Sequence, residues 1–167
     1  GKPVQLVWSR KEECMYDKFR PAALMKVTSG VDNDGKMTLW NFDIYCAGTR
    51  GTNLFYEVEN NRTRMFNQRG VHPFGTGAWR APGNNSTTFA RESHIDVTAH
   101  KIGMDALEFR LKNLSDNDME ETLKLGAKTF GWNRAKKEGH GYGIALGKDA
   151  GTCVAMFAEV HVNSETG

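Results

Sequence analysis

The sequence predicts an α+β fold, with a mixed or antiparallel sheet, hairpins, and about three helices in the middle of the chain. Three observations carry this prediction. Apolar residues alternate with a period of two between residues 22 and 45, which is typical of half-buried strands. From residue 86 to residue 130 they recur at helical spacing instead. Strand alternation returns between residues 142 and 162, after the helices.

The strands come first. Residues 3–8 (PVQLVW) form a short apolar run and predict a buried strand. Residues 22–31 and 37–45 predict two more strands, and the turn 32–35 (DNDG) between them supplies the positive φ that a hairpin needs. Another short strand is expected near residues 63–68.

Three helices are predicted from apolar stripes and from the residues that begin and end them. The stripes are Ile95, Ala99 and Ile102; Leu107, Leu111 and Leu114; and Met119, Leu123, Ala127 and Phe130. Asp105 and Asp118 each have a glutamate three residues later, which is the pattern of a capping box at a helix start. Gly103 and Gly131 are the expected C-terminal stops.

Composition excludes several classes of protein. The 167 residues, 39% hydrophobic and 25% charged, suit one globular domain. The net charge is +2 and the basic residues are scattered, which argues against a nucleic-acid partner. No apolar run approaches the roughly 20 residues of a membrane-spanning helix, so no membrane span is expected. Three widely spaced cysteines predict free thiols; they favour the cytoplasm and leave the periplasm open.

Both ends of the sequence predict strands that lack a partner. The first is the run 3–8, and the last, 152–162, is followed by the turn 163–167 with no return strand. Because an unpaired strand edge promotes association, we expect residues 1–167 to form a single domain that is a fragment of a longer chain.

The segment 74–86 (FGTGAWRAPGNNS) is the strongest candidate binding site. A glycine-rich turn leads directly into a predicted helix, whose first N–H groups and positive dipole end suit an anionic oxygen. Arg80 stands just ahead of this helix, and its planar guanidinium can bind a phosphate through two hydrogen bonds. The alternative is an ordinary loop with Asn85 or Ser86 as the N-cap and Arg80 on the surface.

Other candidate residues favour structural roles. Glu92 and Asp96, one helical turn apart, could form an acid and base pair, but ion pairing explains them as well and is preferred. The histidines show no pair at metal-ligand spacing, and His94 and His100 are expected to be hydrogen-bonded structural imidazoles. The glycine run 139–143 precedes a strand and not a helix, which argues against a dinucleotide loop.

Several segments together resemble a known family. TGAWRAPG (76–83), FARESHID (89–96) and GMDALEFRLKNL (103–114) are similar to the molybdenum-binding subunit of the xanthine dehydrogenase and aldehyde oxidase family. The opening GKPVQLVWSR and the strand after Gly143 extend the resemblance over nearly the whole chain. Within this family, the sequence looks most similar to the bacterial aldehyde dehydrogenase and isoquinoline 1-oxidoreductase β-subunit types.

The resemblance implies a molybdopterin cofactor that hydroxylates an aldehyde or an electron-poor ring carbon with oxygen from water. It also implies partners, namely the remainder of the molybdenum subunit, an iron–sulfur subunit that accepts the electrons, and a small aldehyde or heteroaromatic substrate. By this resemblance, the cofactor-binding residues are Trp79, Arg80, Ala81 and Gly83, and the substrate-channel residues are Pro82, Gly151 and Thr152. Proline at position 82, where the family can place an aromatic ring, argues against substrate stacking there.

The family's catalytic glutamate lies in a later glycine-rich motif, beyond Gly167. We therefore expect no catalytic residue and no metal ligand within these residues, and an isolated chain that is inactive and free of cofactor. The alternative function is a non-catalytic scaffold or binding module that keeps the fold without the cofactor.

Overall fold

The computed structural model describes residues 1–66, 72–78 and 80–167. Within these ranges the chain forms four helices and five strands. In chain order they are α1 (Arg10–Tyr16), β1 (Leu24–Val31), β2 (Met37–Tyr45), β3 (Asn60–Phe66), α2 (Asn84–Lys101), α3 (Ala106–Asn113), α4 (Asn117–Phe130), β4 (His140–Asp149) and β5 (Thr152–His161).

Strands β1, β2 and β3 form one mixed sheet. The predicted hairpin is confirmed, because β1 pairs antiparallel with β2 and Gly35 in the turn has a φ of 80°. Alternation along β2 places Trp40, Phe42 and Ile44 in the core. The third strand begins earlier than predicted and runs parallel to β2; residues 67–68 of the prediction lie outside the described residues.

The helices follow the predicted stripes, with two differences at their starts. Asp105 caps α3 as expected, and Gly131 ends α4 in the left-handed conformation. The cap of α4 is Asp116 and not Asp118, because the Asp116 side chain accepts the N–H of Met119. Helix α2 starts after Gly83, which leaves no side-chain cap at its N-terminus.

The two strands predicted between residues 142 and 162 are confirmed, but residues 152–162 do not lack a partner, because they pair with β4. Strands β4 and β5 pair antiparallel over ten residues each, with a turn in which Ala150 and Gly151 both have positive φ. Its inner face packs on α4, where a Cβ added to Gly126 would lie 2.5 Å from the Phe157 ring. These contacts fix the hairpin and its turn relative to the helices.

The N-terminal segment contradicts one prediction. Residues 3–8 form no strand, and Val4 and Leu6 are 91% and 78% exposed, because no neighbouring strand among the described residues pairs with this backbone. Helix α1 follows, with a reciprocal capping box between Ser9 and Glu12 that the sequence offered but that was not predicted.

One core joins both sheets to the helices. Its largest buried members are Trp40, Phe42, Phe109, Ile44, Ile95, Met119, Leu123 and Leu146. Of the helices in the described ranges, none has the length and apolar character needed to cross a bilayer.

Candidate functional site at the start of helix α2

Residues of the glycine-rich segment 74–86, among them Gly77, Ala78, Pro82 and Gly83, line a cavity of about 390 Å³ at the start of α2. We call this space the α2 cavity. Trp79, predicted to bind the cofactor, lies outside the described residues. The other lining residues are Arg20, Pro21, Ala47, Gly48, Thr49, Arg50, Thr76, Asn85 and Ser86.

A short backbone bridge brings Arg20 to this cavity. Phe19 donates its N–H to the Gly75 carbonyl oxygen at 3.0 Å, and Gly77 donates to the Phe19 carbonyl oxygen at 3.0 Å. Because Arg20 and Pro21 follow Phe19 directly, the bridge places both beside the glycine-rich segment.

Close glycine contacts pack the loop 47–51 onto the first turn of α2. A Cβ added to Gly83 would lie 2.4 Å from the Ala47 carbonyl oxygen, and one added to Gly51 would lie 2.4 Å from Thr87 Oγ1. Both glycines also have positive φ, which other residues rarely adopt. The loop therefore forms a fixed wall of the α2 cavity.

The polar side chains that line the α2 cavity are all able to donate hydrogen bonds. Arg20 and Arg50 contribute guanidinium groups, and Thr49 and Ser86 contribute hydroxyl groups. Among the described lining residues there is no Asp or Glu. The first turn of α2 adds the positive end of the helix dipole. This donor set fits an anionic group such as the phosphate of a molybdopterin cofactor.

The predicted cofactor residues lie at different depths around this cavity. Arg80 and Ala81 are exposed and are not among the residues that line it. Pro82 is exposed at the rim, and Gly83 is half-buried in the wall. Ala81 has a φ of 55°, so the chain turns sharply just before α2. The roles assigned to these residues by resemblance stay predictions.

The predicted channel residues lie next to the α2 cavity. Gly151 lines a second cavity of about 720 Å³, and Thr152 is exposed at the start of β5. Thr49 and Arg50 line both cavities. Arg50 also pairs with Asp149, with 3.1 Å between Nη2 and Oδ1, so one guanidinium links loop 47–51 to the β4–β5 turn.

Sequence reasoning missed Arg20, Thr49 and Arg50. The run Gly48-Thr49-Arg50-Gly51 combines glycine with arginine, as the segment 76–83 does, and this composition was an available signal. Nothing in the sequence around Arg20 indicates its position, because the Phe19 bridge that places it joins residues far apart in the chain.

Beneath the α2 cavity lies a buried ion-pair cluster centred on Glu92, which we call the Glu92 cluster. The Glu92 carboxylate accepts hydrogen bonds from Tyr56 Oη, Arg91 Nε, Arg110 Nε and the Leu146 N–H at 3.0–3.1 Å. Glu92 and both arginines are no more than 3% exposed. Because each of these partners donates a hydrogen bond to the carboxylate, Glu92 has the contacts of a structural anion.

The preferred ion-pairing role of Glu92 and Asp96 is thereby confirmed. Asp96 Oδ1 lies 2.6 Å from Arg110 Nη1. Burial by itself would lower the pKa of Arg110, but nearby Tyr56, Glu92 and Asp96 more than offset this and raise it. Burial, with the adjacent Glu92 charge, raises the pKa of Tyr56 well above its usual value. The Arg110 guanidinium is therefore charged, and Tyr56 keeps the proton that it donates to Glu92.

His94 has the predicted structural contacts, whereas the same prediction for His100 was wrong, because that side chain is exposed near the end of α2. Nε2 of His94 lies 2.9 Å from Ser29 Oγ, which lies 3.1 Å from Thr98 Oγ1. The ring also meets the edge of Trp40 at 5.6 Å between centroids. Burial, and to a smaller extent Lys101, lower the pKa of His94. The imidazole therefore joins β1 to α2 in its neutral form near pH 7.

The sequence model of the molybdopterin cofactor-binding domain matches residues 1–114. The chain belongs to this family. The matched residues include the segment 76–83, loop 47–51 and the Phe19 bridge, so the α2 cavity lies wholly inside the family domain.

Curated relatives agree with this assignment. The aldehyde oxidoreductase molybdenum-binding subunit PaoC of Escherichia coli (strain K12) is 27% identical over 96% of this chain and 26% of its own length. Isoquinoline 1-oxidoreductase subunit beta of Brevundimonas diminuta is 24% identical over 98% of this chain and 24% of its own. The present chain thus spans about a quarter of the length of these relatives.

Solved structures show the same fold. The aldehyde oxidoreductase from Desulfovibrio gigas superimposes with a TM-score of 0.60 at 20% identity, covering 84% of this chain and 19% of that one. Quinoline 2-oxidoreductase from Pseudomonas putida 86 gives 0.59 at 15% identity, covering 77% and 22%. The predicted α+β class is confirmed.

Proposed function

We propose that this chain supplies one wall of the cofactor site in a molybdopterin-dependent hydroxylase. The enzyme oxidises an aldehyde or a carbon of an N-heteroaromatic ring and takes the new oxygen from water. The observation that carries the proposal is the α2 cavity, where the family segment meets a helix start and two arginines without any acid among the described lining residues.

The residues of the chain act on the anionic part of the cofactor. Arg20 and Arg50 bind its phosphate oxygens, and the hydroxyl groups of Thr49 and Ser86 donate further hydrogen bonds. Gly83, which has no side chain, keeps loop 47–51 close enough for these donors to converge. When bound, the molybdenum group supplies the oxidation of the substrate carbon.

The reaction needs a base that these residues do not offer. For a substrate R–H the balance is R–H + H₂O → R–OH + 2H⁺ + 2e⁻, and one proton must leave water at the site. Glu92 accepts four hydrogen bonds inside the protein and is not available for this step. The base therefore comes from the remainder of the molybdenum subunit, and the electrons pass to an iron–sulfur partner.

The direct test uses the native polypeptide that contains this chain, produced in cells that supply the pterin cofactor. Metal and pterin analysis is expected to find both groups, and oxidation in ¹⁸O-labelled water is expected to place the label in the product. A folded native protein without molybdenum under these conditions would overturn the proposal and favour the non-catalytic scaffold.

A double substitution sharpens this test. Arg20→Gln with Arg50→Gln removes both guanidinium groups from the α2 cavity and is expected to reduce the molybdenum content. Arg62→Gln with Lys11→Gln, at two exposed positions outside the cavity lining, is the control with the same loss of charge. Equal molybdenum content in all three proteins would show that the α2 cavity does not hold the cofactor.

A further inference from the structure

Two buried arginines bind the same carboxylate from opposite sides. Arg91 on α2 is 2% exposed and Arg110 on α3 is fully buried, and both donate through Nε to Glu92. The guanidinium groups are similar in charge and burial. They differ in what the remaining donors of each group reach.

One of the remaining donors of Arg91 reaches loop 47–51, and the other reaches β4. Its Nη1 donates to the Gly51 carbonyl oxygen at 2.9 Å, and its Nη2 donates to the Leu146 carbonyl oxygen at 3.2 Å. The guanidinium also lies 4.4 Å from the centre of the Phe55 ring. Arg91 therefore connects loop 47–51 to β4, and its side chain is held in place by Glu92, Leu146 and the Phe55 ring.

The remaining donors of Arg110 stay among the helices and β4. They go to Asp96 at 2.6 Å, to the Ala106 carbonyl oxygen at 3.1 Å and to the Ile144 carbonyl oxygen at 3.0 Å. None of its hydrogen bonds to described residues reaches loop 47–51. Arg110 thus shares the burial and the anion of Arg91 without the loop contact.

We propose that Arg91 is a positioning residue that fixes loop 47–51 so that Thr49 and Arg50 face the α2 cavity. The bond from Arg91 ends on Gly51, one residue after Arg50. Thr87 supports the same loop by donating to the Arg50 carbonyl oxygen at 3.0 Å. The inference rests on the proposed function, because it assigns Arg91 a role in holding the α2 cavity ready for the anionic part of the cofactor.

The test compares Arg91→Met with Arg110→Met in the native polypeptide that contains this chain, prepared without cofactor. Amide hydrogen exchange is measured in loop 47–51 and in α4, and the affinity for inorganic pyrophosphate is measured by calorimetry. Arg91→Met is expected to speed exchange in the loop more than in α4 and to weaken pyrophosphate binding about tenfold. Arg110→Met is expected to lower the free energy of unfolding at least as much as Arg91→Met does. Its affinity for pyrophosphate is expected to stay close to that of the wild type.

Conservative variants keep the comparison usable if either methionine variant does not fold. Arg91→Lys retains one charged group and is expected to recover part of the pyrophosphate affinity. Arg110→Lys is expected to have the pyrophosphate affinity of the wild type. The proposal is overturned if the Arg91 and Arg110 variants affect loop exchange and affinity equally. It is also overturned if Arg91 variants leave loop exchange unchanged.

The exchange measurement separates this proposal from the proposed function. If the cofactor-free native polypeptide binds no pyrophosphate, the anion site fails as an element of the proposed function. Loop exchange in the Arg91 and Arg110 variants still decides whether Arg91 positions the loop.

Discussion

The Glu92 cluster and the α2 cavity lie close together and both contain arginine, yet their arginines serve different purposes. In the cluster, Arg91 and Arg110 share a buried carboxylate and donate their other N–H groups to carbonyl oxygens. In the α2 cavity, Arg20 and Arg50 stand at the surface and line a space without a described acid. The difference shows that an arginine in the sequence does not by itself indicate a ligand site. The groups that its guanidinium contacts in the fold are the better guide.

The contrast has an energetic basis. A buried arginine that loses its anion leaves an uncompensated charge at low dielectric, which strongly destabilises the fold. An arginine at an open cavity remains hydrated and can exchange water for a ligand oxygen at little cost. We therefore expect substitutions in the Glu92 cluster to act mainly on stability, with an added effect on binding at Arg91 through its bond to Gly51. Substitutions of Arg20 and Arg50 at the α2 cavity are expected to act mainly on binding.

The largest effect is expected for Glu92→Gln, which leaves two buried guanidinium groups without their shared carboxylate. The free energy of unfolding in urea should fall by about 3–5 kcal/mol. Glu120→Gln is the control, because it breaks the largely exposed pair with Lys124 and should change stability by no more than about 0.5 kcal/mol. Similar losses in both variants would contradict the structural role of the cluster.

Gly83→Ala tests the packing of loop 47–51 against the start of α2. The new Cβ would lie 2.4 Å from the Ala47 carbonyl oxygen, so loop 47–51 must shift. Gly48→Ala is a matched control, because Gly48 has nearly the same φ, 77° against 78°, and nothing within 4 Å of an added Cβ. Gly83→Ala should therefore cost about 1–3 kcal/mol more in unfolding free energy. Equal losses of unfolding free energy in the two variants would show that the close approach of Gly83 to Ala47 is unimportant.

His94 should make stability depend on pH. Burial lowers its pKa in the folded chain, so the unfolded chain binds the proton more readily. The resulting stability is present above the unfolded pKa of about 6.5 and is lost as the pH falls through the lower folded value. His94→Gln should reduce this loss between about pH 7.5 and about pH 5, while His100→Gln, at an exposed position, should not. An unchanged profile in His94→Gln would contradict this assignment.

The smallest stability effect is expected for Asp149→Asn, which releases Arg50 from a half-exposed ion pair. Unfolding free energy should change by less than about 1 kcal/mol, while pyrophosphate affinity should rise about threefold. Asp118→Asn removes the same charge on α4, away from the α2 cavity, and serves as the control. An equal gain in both variants would indicate a general charge effect and not competition for Arg50.

Much of the fold was predictable because its periodicity is local. Hairpin β1–β2 and helix α3 follow from side-chain alternation, a turn that needs positive φ, and an aspartate cap. The strand predicted at residues 3–8 failed because an apolar run does not reveal whether a partner strand is present. The parallel pairing of β3 with β2 was missed for the same reason.

The candidate site was only partly predictable. The segment 76–83 marks the helix start and the family, but Arg20 and Arg50 reach the α2 cavity through long-range packing. Arg80, the arginine that the sequence made prominent, is exposed outside the cavity lining. Contacts made through backbone carbonyls and glycine packing leave little trace in a single sequence.

Titration of the chain with inorganic pyrophosphate, followed by backbone amide NMR, tests the central claim most directly. We predict saturable shifts in loop 47–51 and residues 83–86, and their loss in a folded Arg20→Gln and Arg50→Gln double variant. Shifts that do not saturate, or that persist unchanged in the double variant, would contradict the assignment of the α2 cavity as the anion site.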